Sequence, residues 1–127
     1  MPTNFPAVTG QVVTADFANQ LVAFSVTTET GSYTLDNDDL YQVFIQLSAA
    51  GTKTVTIPPD STLTAAVVGS AVTFCNTGAG LLTFAAGSGV TITSAGAVSA
   101  APTLSQHKVA QCVRVSSNSW RIYGSIA

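Results

Sequence analysis

The chain has 127 residues, which sets the expectation of one domain long enough to bury a core. Charged residues make up 8% of it, against about 25% in an ordinary soluble domain, while the hydrophobic content of 46% is ordinary. A net charge of −2, with the basic residues Lys53, Lys108, Arg114 and Arg121 scattered along the chain, excludes the basic footprint that nucleic-acid phosphates require.

Thr, Ser, Ala and Gly stand where charges would be. A surface so poor in charge has little to hold copies apart, so much of it is expected to be buried in an oligomer or larger assembly. No run of about eighteen apolar residues is present, so no membrane-spanning helix is expected. The opening Met-Pro-Thr-Asn-Phe-Pro lacks the basic and apolar regions of a signal peptide, and folding in a cytoplasm is expected.

In chain order, residues 1–10 carry two prolines, an asparagine and a glycine around Phe5, and read as an extended N-terminal arm. Residues 11–127 read as a single β-domain. Gln11–Ala15 and Leu21–Thr27 are predicted strands, joined through Asp16–Gln20 by a turn or one helical turn. Ser32–Leu35 and Leu40–Leu47 form the next predicted pair, with Asp36–Asp39 as the turn between them. In the second of these, Tyr41, Val43, Ile45 and Leu47 fall on one face and Gln42, Phe44 and Gln46 on the other.

The stretch from Lys53 to Thr93 has the clearest pattern. Val55-Thr56-Ile57, Val72-Thr73-Phe74, Leu82-Thr83-Phe84 and Val90-Thr91-Ile92-Thr93 alternate apolar and hydroxyl residues with a period of two. Pro58-Pro59-Asp60, Asn76-Thr77-Gly78-Ala79-Gly80 and Gly87-Ser88-Gly89 separate them as turns. Read alone, this is the grammar of a β-meander. Ser94–Thr103 reads as a loop. Lys108–Ser116, with Val109, Gln111, Val113 and Val115 on one face, and Trp120–Ile126 read as a C-terminal hairpin. No window shows a helical apolar period. The expected fold is all-β: a single-domain antiparallel sandwich or barrel, jelly-roll-like, with little or no helix.

Residues able to carry chemistry are few. Asp36, Asp38 and Asp39 form the one acidic cluster and the only metal candidate, but Tyr41 and Leu47 stand where an EF-hand loop has its glycine and glutamate. A turn held by Asx hydrogen bonds is the simpler reading. His107 has Gln106 and Lys108 beside it, neither a nucleophile nor a second metal ligand, and reads as a loop residue. The paired glycines lack the third glycine and following helix of a phosphate cradle, and Gly87-Ser88-Gly89 lacks the spacing of a nucleophile elbow. Asp16, Glu29, Asp60 and the acidic turn offer no pair with a reason to sit at glycosidase separation. No enzyme and no cofactor are expected. Cys75 and Cys112 read as free thiols within strands, able to pair only if those strands are neighbours. Trp120 shares its face with Ile122 and reads as a core anchor, with Arg121 and Tyr123 on the opposite face.

Thr-Val-Thr-Ile-Pro-Pro at 54–59, Val68 to Phe74, Thr77-Gly78-Ala79-Gly80, Thr83 to Ile92, and Trp120 followed by Gly124 resemble the small β-domain of tailed-phage virion proteins. That domain occurs in tail- and neck-fibre proteins and in capsid decoration (cement) proteins, and the resemblance spans residues 53–126. It implies a homotrimer displayed on the capsid exterior, without catalytic residues, made in the host cytoplasm and bound to the major capsid protein of the same phage. Two roles follow: decoration of the assembled capsid, or a tail- or head-fibre module that binds a host-surface glycan through exposed Tyr33, Tyr41 or Tyr123. The chain begins at Met1 and lacks a shaft of repeats, which favours decoration. Phe5, Pro6, Val8, Val12 and Phe17 are then the expected capsid contacts, and Val67, Val72 and Phe74 the expected trimer contacts.

Overall fold

The computed structural model describes residues 24–94 and 101–127. The strands are β1 (Ser25–Glu29), β2 (Tyr33–Thr34), β3 (Tyr41–Leu47), β4 (Lys53–Ile57), β5 (Ala71–Asn76), β6 (Leu82–Ala86), β7 (Thr91–Ser94), β8 (Thr103–Leu104), β9 (Val109–Ser116) and β10 (Ser119–Gly124). One 3-10 turn, Asn37–Leu40, is the helical element among the described residues. The all-β expectation therefore holds. The arm at 1–10, the strand at Gln11–Ala15 and the turn at Asp16–Gln20 lie outside the described residues.

The sheets correct the antiparallel meander. A six-stranded sheet runs β1-β3-β5-β9-β10-β7, and a four-stranded sheet runs β2-β4-β6-β8. From β1 to β9 successive strands alternate between the two sheets, so the predicted pairs along the chain are not hairpins. Strands β1, β3 and β5 are parallel to one another, as are β2, β4 and β6. The chain winds as a coil, placing one strand in each sheet per turn. Antiparallel pairing enters later, at β5–β9, β6–β8 and the β9–β10 hairpin, which matches its prediction.

The loops explain this topology. After β3 and after β5 the chain crosses to the other sheet in two arches, 48–52 and 77–81, that stack on one another. Thr77 N and Gly78 N both donate to Leu47 O, at 3.0 and 3.1 Å. A Cβ on Gly78 would lie 1.9 Å from Ala49 O, and one on Gly80 would lie 2.0 Å from Gly51 O, so glycine alone lets the arches approach. Lys53, 2% exposed, fills the space between them. Its Nζ donates to Ala49 O at 2.5 Å, Gly80 O at 3.0 Å and Gly51 O at 3.4 Å, and burial lowers its pKa. Three backbone carbonyls thus solvate the ammonium in place of water.

Inward side chains of both sheets form one core that includes Ile45, Val72, Phe74, Val55, Phe84 and Trp120. Phe74 of β5 and Phe84 of β6 meet edge to face across it, with ring centroids 5.6 Å apart. Trp120 is the predicted core anchor, fully buried beside Ile122, although its Nε1 has no hydrogen-bond partner. Val72 and Phe74 are corrected here: expected between protomers, they are wholly buried within one. Their period-two positions on β5 face the opposite sheet.

Two local differences have physical causes. Tyr41 is 63% exposed while Val43, Ile45 and Leu47 are buried, because a bulge between Tyr41 and Val43 rotates the strand start to the other face. Thr103, read as the end of a loop, forms β8 with Leu104, which is buried. Two residues are too few to show a period.

Candidate functional site

The acidic turn is the first candidate, and the chain itself engages one carboxylate oxygen each of Asp36 and Asp39. Asp36 caps the 3-10 turn, accepting from Asp38 N at 2.9 Å, while Asp39 Oδ2 accepts from Asp36 N at 2.9 Å and from the Tyr33 hydroxyl at 2.7 Å. Burial pushes the Asp39 carboxyl up, against the pull of the Tyr33 and Asp36 hydrogen bonds. Burial, then the adjacent Asp39, raises the Tyr33 hydroxyl. Asn37 ties the turn to the 58–70 loop, accepting from Ala65 N at 3.0 Å. Among the described residues no three His, Cys, Asp or Glu side chains gather into a metal-binding group. The turn is a fold element joining β2 of one sheet to β3 of the other, not the tip of a hairpin.

A second cluster joins that loop to the β9–β10 hairpin. Arg114 donates to both Asp60 oxygens, Nε at 3.2 Å and Nη2 at 2.8 Å, and Asp60 Oδ2 also accepts from Asn118 N at 3.0 Å. Asn118 Oδ1 accepts in return from Asp60 N at 2.7 Å, from a backbone with φ of 50°. The Arg114 guanidinium holds the Asp60 carboxyl below its ordinary pKa. This clamp is structural.

The outer face of the six-stranded sheet is different in kind. Strand register carries one row of side chains across five strands: Val26, Phe44, Thr73, Gln111 and Tyr123. On one side lies the row Tyr41, Ala71, Val113, Arg121 and Thr93; on the other lies Thr28, Gln46, Cys75 and Val109. Phe24, Val26, Tyr41, Val109 and Tyr123 are 54%, 60%, 63%, 39% and 42% exposed. Phe24 stacks edge to face on Phe44 at 6.3 Å. The polar groups in the middle satisfy one another: the Tyr123 hydroxyl donates to Gln111 Oε1, and Gln111 Nε2 donates to Thr73 Oγ1 at 3.4 Å. Arg121 is the one formal charge in these rows. Exposed apolar faces larger than a few hundred Å² are uncommon on monomers and accompany binding to another surface or ligand.

The structure distributes the remaining expected site residues as follows. Val67 is 58% exposed, in the loop before β5 and away from the buried Val72 and Phe74. Phe5, Pro6, Val8, Val12 and Phe17 lie outside the described residues. Tyr41 and Tyr123 share the face just described, but Tyr33 is on the other sheet, so the three do not gather into a groove. Cys75 and Cys112 are both free; their strands are neighbours, but Cys75 points outward and Cys112 into the core, where burial raises its thiol pKa. His107 sits in the loop before β9, its N donating to Asn76 O at 2.6 Å. No family model matches the chain, and no curated protein or solved structure is detectably similar to it.

Proposed function

We propose that this chain is a non-enzymatic structural protein of a tailed-phage virion, a capsid decoration protein that binds the outside of the assembled capsid as a homotrimer. The observation that carries the reading is the apolar, almost uncharged outer face of the six-stranded sheet; the virion setting comes from the sequence resemblance of residues 53–126. Such a face suits permanent association and offers no catalytic group. Decoration needs no chemistry. Three modest footprints on one trimer add in parallel and give strong avidity, and binding restricted to the assembled lattice stabilises that lattice by mass action. The capsid footprint in this reading is the N-terminal segment with Phe5, Pro6, Val8, Val12 and Phe17.

Co-sedimentation of the purified protein with undecorated capsids of the same phage tests the reading. Saturable binding, a higher capsid melting temperature, and loss of binding on deleting residues 2–10 are expected. Protein left wholly in the supernatant at micromolar concentration would overturn it, and a specific hit on a glycan array would move the role to a fibre module.

A further inference from the structure

The geometry points to a second copy of this chain as the occupant of the outer face of the six-stranded sheet. The inference rests on the proposed self-assembly and specifies where copies meet, replacing Val67, Val72 and Phe74 with the rows centred on Val26, Phe44, Val109, Val113 and Tyr123.

Three observations carry it. First, charge: a surface that meets its own copy confronts its own charges, and these rows hold no carboxylate and one cation. Arg121 lies toward the β7 edge, where a rim residue stays hydrated. Second, desolvation: Tyr123, Gln111 and Thr73 already bond to one another, so covering them strands few polar groups. Third, size: three side-chain rows of at most five strands each, at about 4.8 Å between strands, cover roughly 20 by 24 Å, or about 500 Å². Two such faces laid on one another would bury about 1,000 Å², the lower bound of a specific interface; about a threefold axis each face divides its area between two neighbours. The outer rows of the four-stranded sheet are equally free of charge but present threonine hydroxyls in place of an apolar surface.

The test is the native mass of the full chain, wild type and variants, across nanomolar to micromolar concentration. Val26→Lys and Val109→Asp should raise the concentration needed for assembly at least tenfold, while Thr54→Lys and Thr83→Lys on the other sheet leave it unchanged. Circular dichroism checks that each variant folds. Assembly of the sheet-face variants at wild-type concentrations would overturn this inference but leave the trimer standing. A wild type that stays monomeric would overturn both. Should the variants not fold, hydroxyl-radical footprinting of the wild type decides: Phe44, Val109 and Tyr123 should be protected when concentrated and reactive when diluted. Protection that persists in the monomer would mean that the chain covers its own face, and reactivity at all concentrations that nothing does; either sinks the inference.

Discussion

The two sheets share a core but show opposite exteriors. Outside the six-stranded sheet stand phenylalanine, valine and tyrosine. Outside the four-stranded sheet, Thr54, Thr83 and Thr103 form one row and Thr34, Thr56 and Ala85 another. Both exteriors are poor in charge, yet only one is apolar. Threonine methyl groups favour the extended backbone while the hydroxyls stay hydrated, so the second face can remain in water. The first exposes aromatic and branched side chains with no such outlet. Low charge alone therefore does not single out one face; the side-chain type on each face does.

The largest expected effects test whether the inward faces are equivalent. Phe74→Ala from one sheet and Phe84→Ala from the other should each cost about 3–5 kcal/mol in chemical denaturation, because each opens a cavity at the same ring contact. A tolerated substitution on one side alone would show that the sheets do not share the core equally. Next comes the stacking of the arches that connect the parallel pairs β3–β5 and β4–β6. Gly80→Ala should cost about 3 kcal/mol, since its Cβ would overlap the Gly51 carbonyl, whereas Gly51→Ala, with open space around its Cβ, should cost far less.

Outer-face substitutions should have small effects on protomer stability and differ only in assembly. Thr83→Lys is expected within about 0.5 kcal/mol of wild type, with its native mass unchanged. An assembly defect from this variant would erase the contrast between the faces.

A comparably small effect concerns the clamp joining the 58–70 loop to the hairpin. Asp60 has a folded pKa below its unfolded value, so its contribution is fully present above the ordinary aspartate range and is lost as pH falls through the folded pKa. After solvent screening of this partly exposed pair, the contribution is below about 1 kcal/mol. Asp60→Asn should flatten that part of the stability profile below about pH 4 and leave native mass unchanged.

Part of the candidate face was legible in the sequence. The period of β9 put Val109, Gln111, Val113 and Val115 together, and that of β10 opposed Tyr123 to the buried Trp120. Period two groups Val72 and Phe74 on the apolar face of β5 but does not say whether that face meets the opposite sheet or a second protomer. Nor does it register a bulge, so by period alone Tyr41 falls with the core residues of β3. Lys53 gave no signal of burial, because the carbonyls that solvate it come from Ala49, Gly51 and Gly80, brought together only by the stacked arches.

Sequence by itself determined that the chain is built of short strands, where its principal turns fall, and that Trp120 lies inside. These are local properties, set by backbone preference and by the alternation of neighbouring side chains. Tertiary structure alone decided the partner of each strand, the parallel coil in place of a meander, and the assembly of one apolar exterior from residues of β1, β3, β5, β9 and β10. A short glycine-rich connection can close a hairpin or cross to the opposite sheet. The choice depends on the carbonyls that its glycines meet, and those belong to distant parts of the chain.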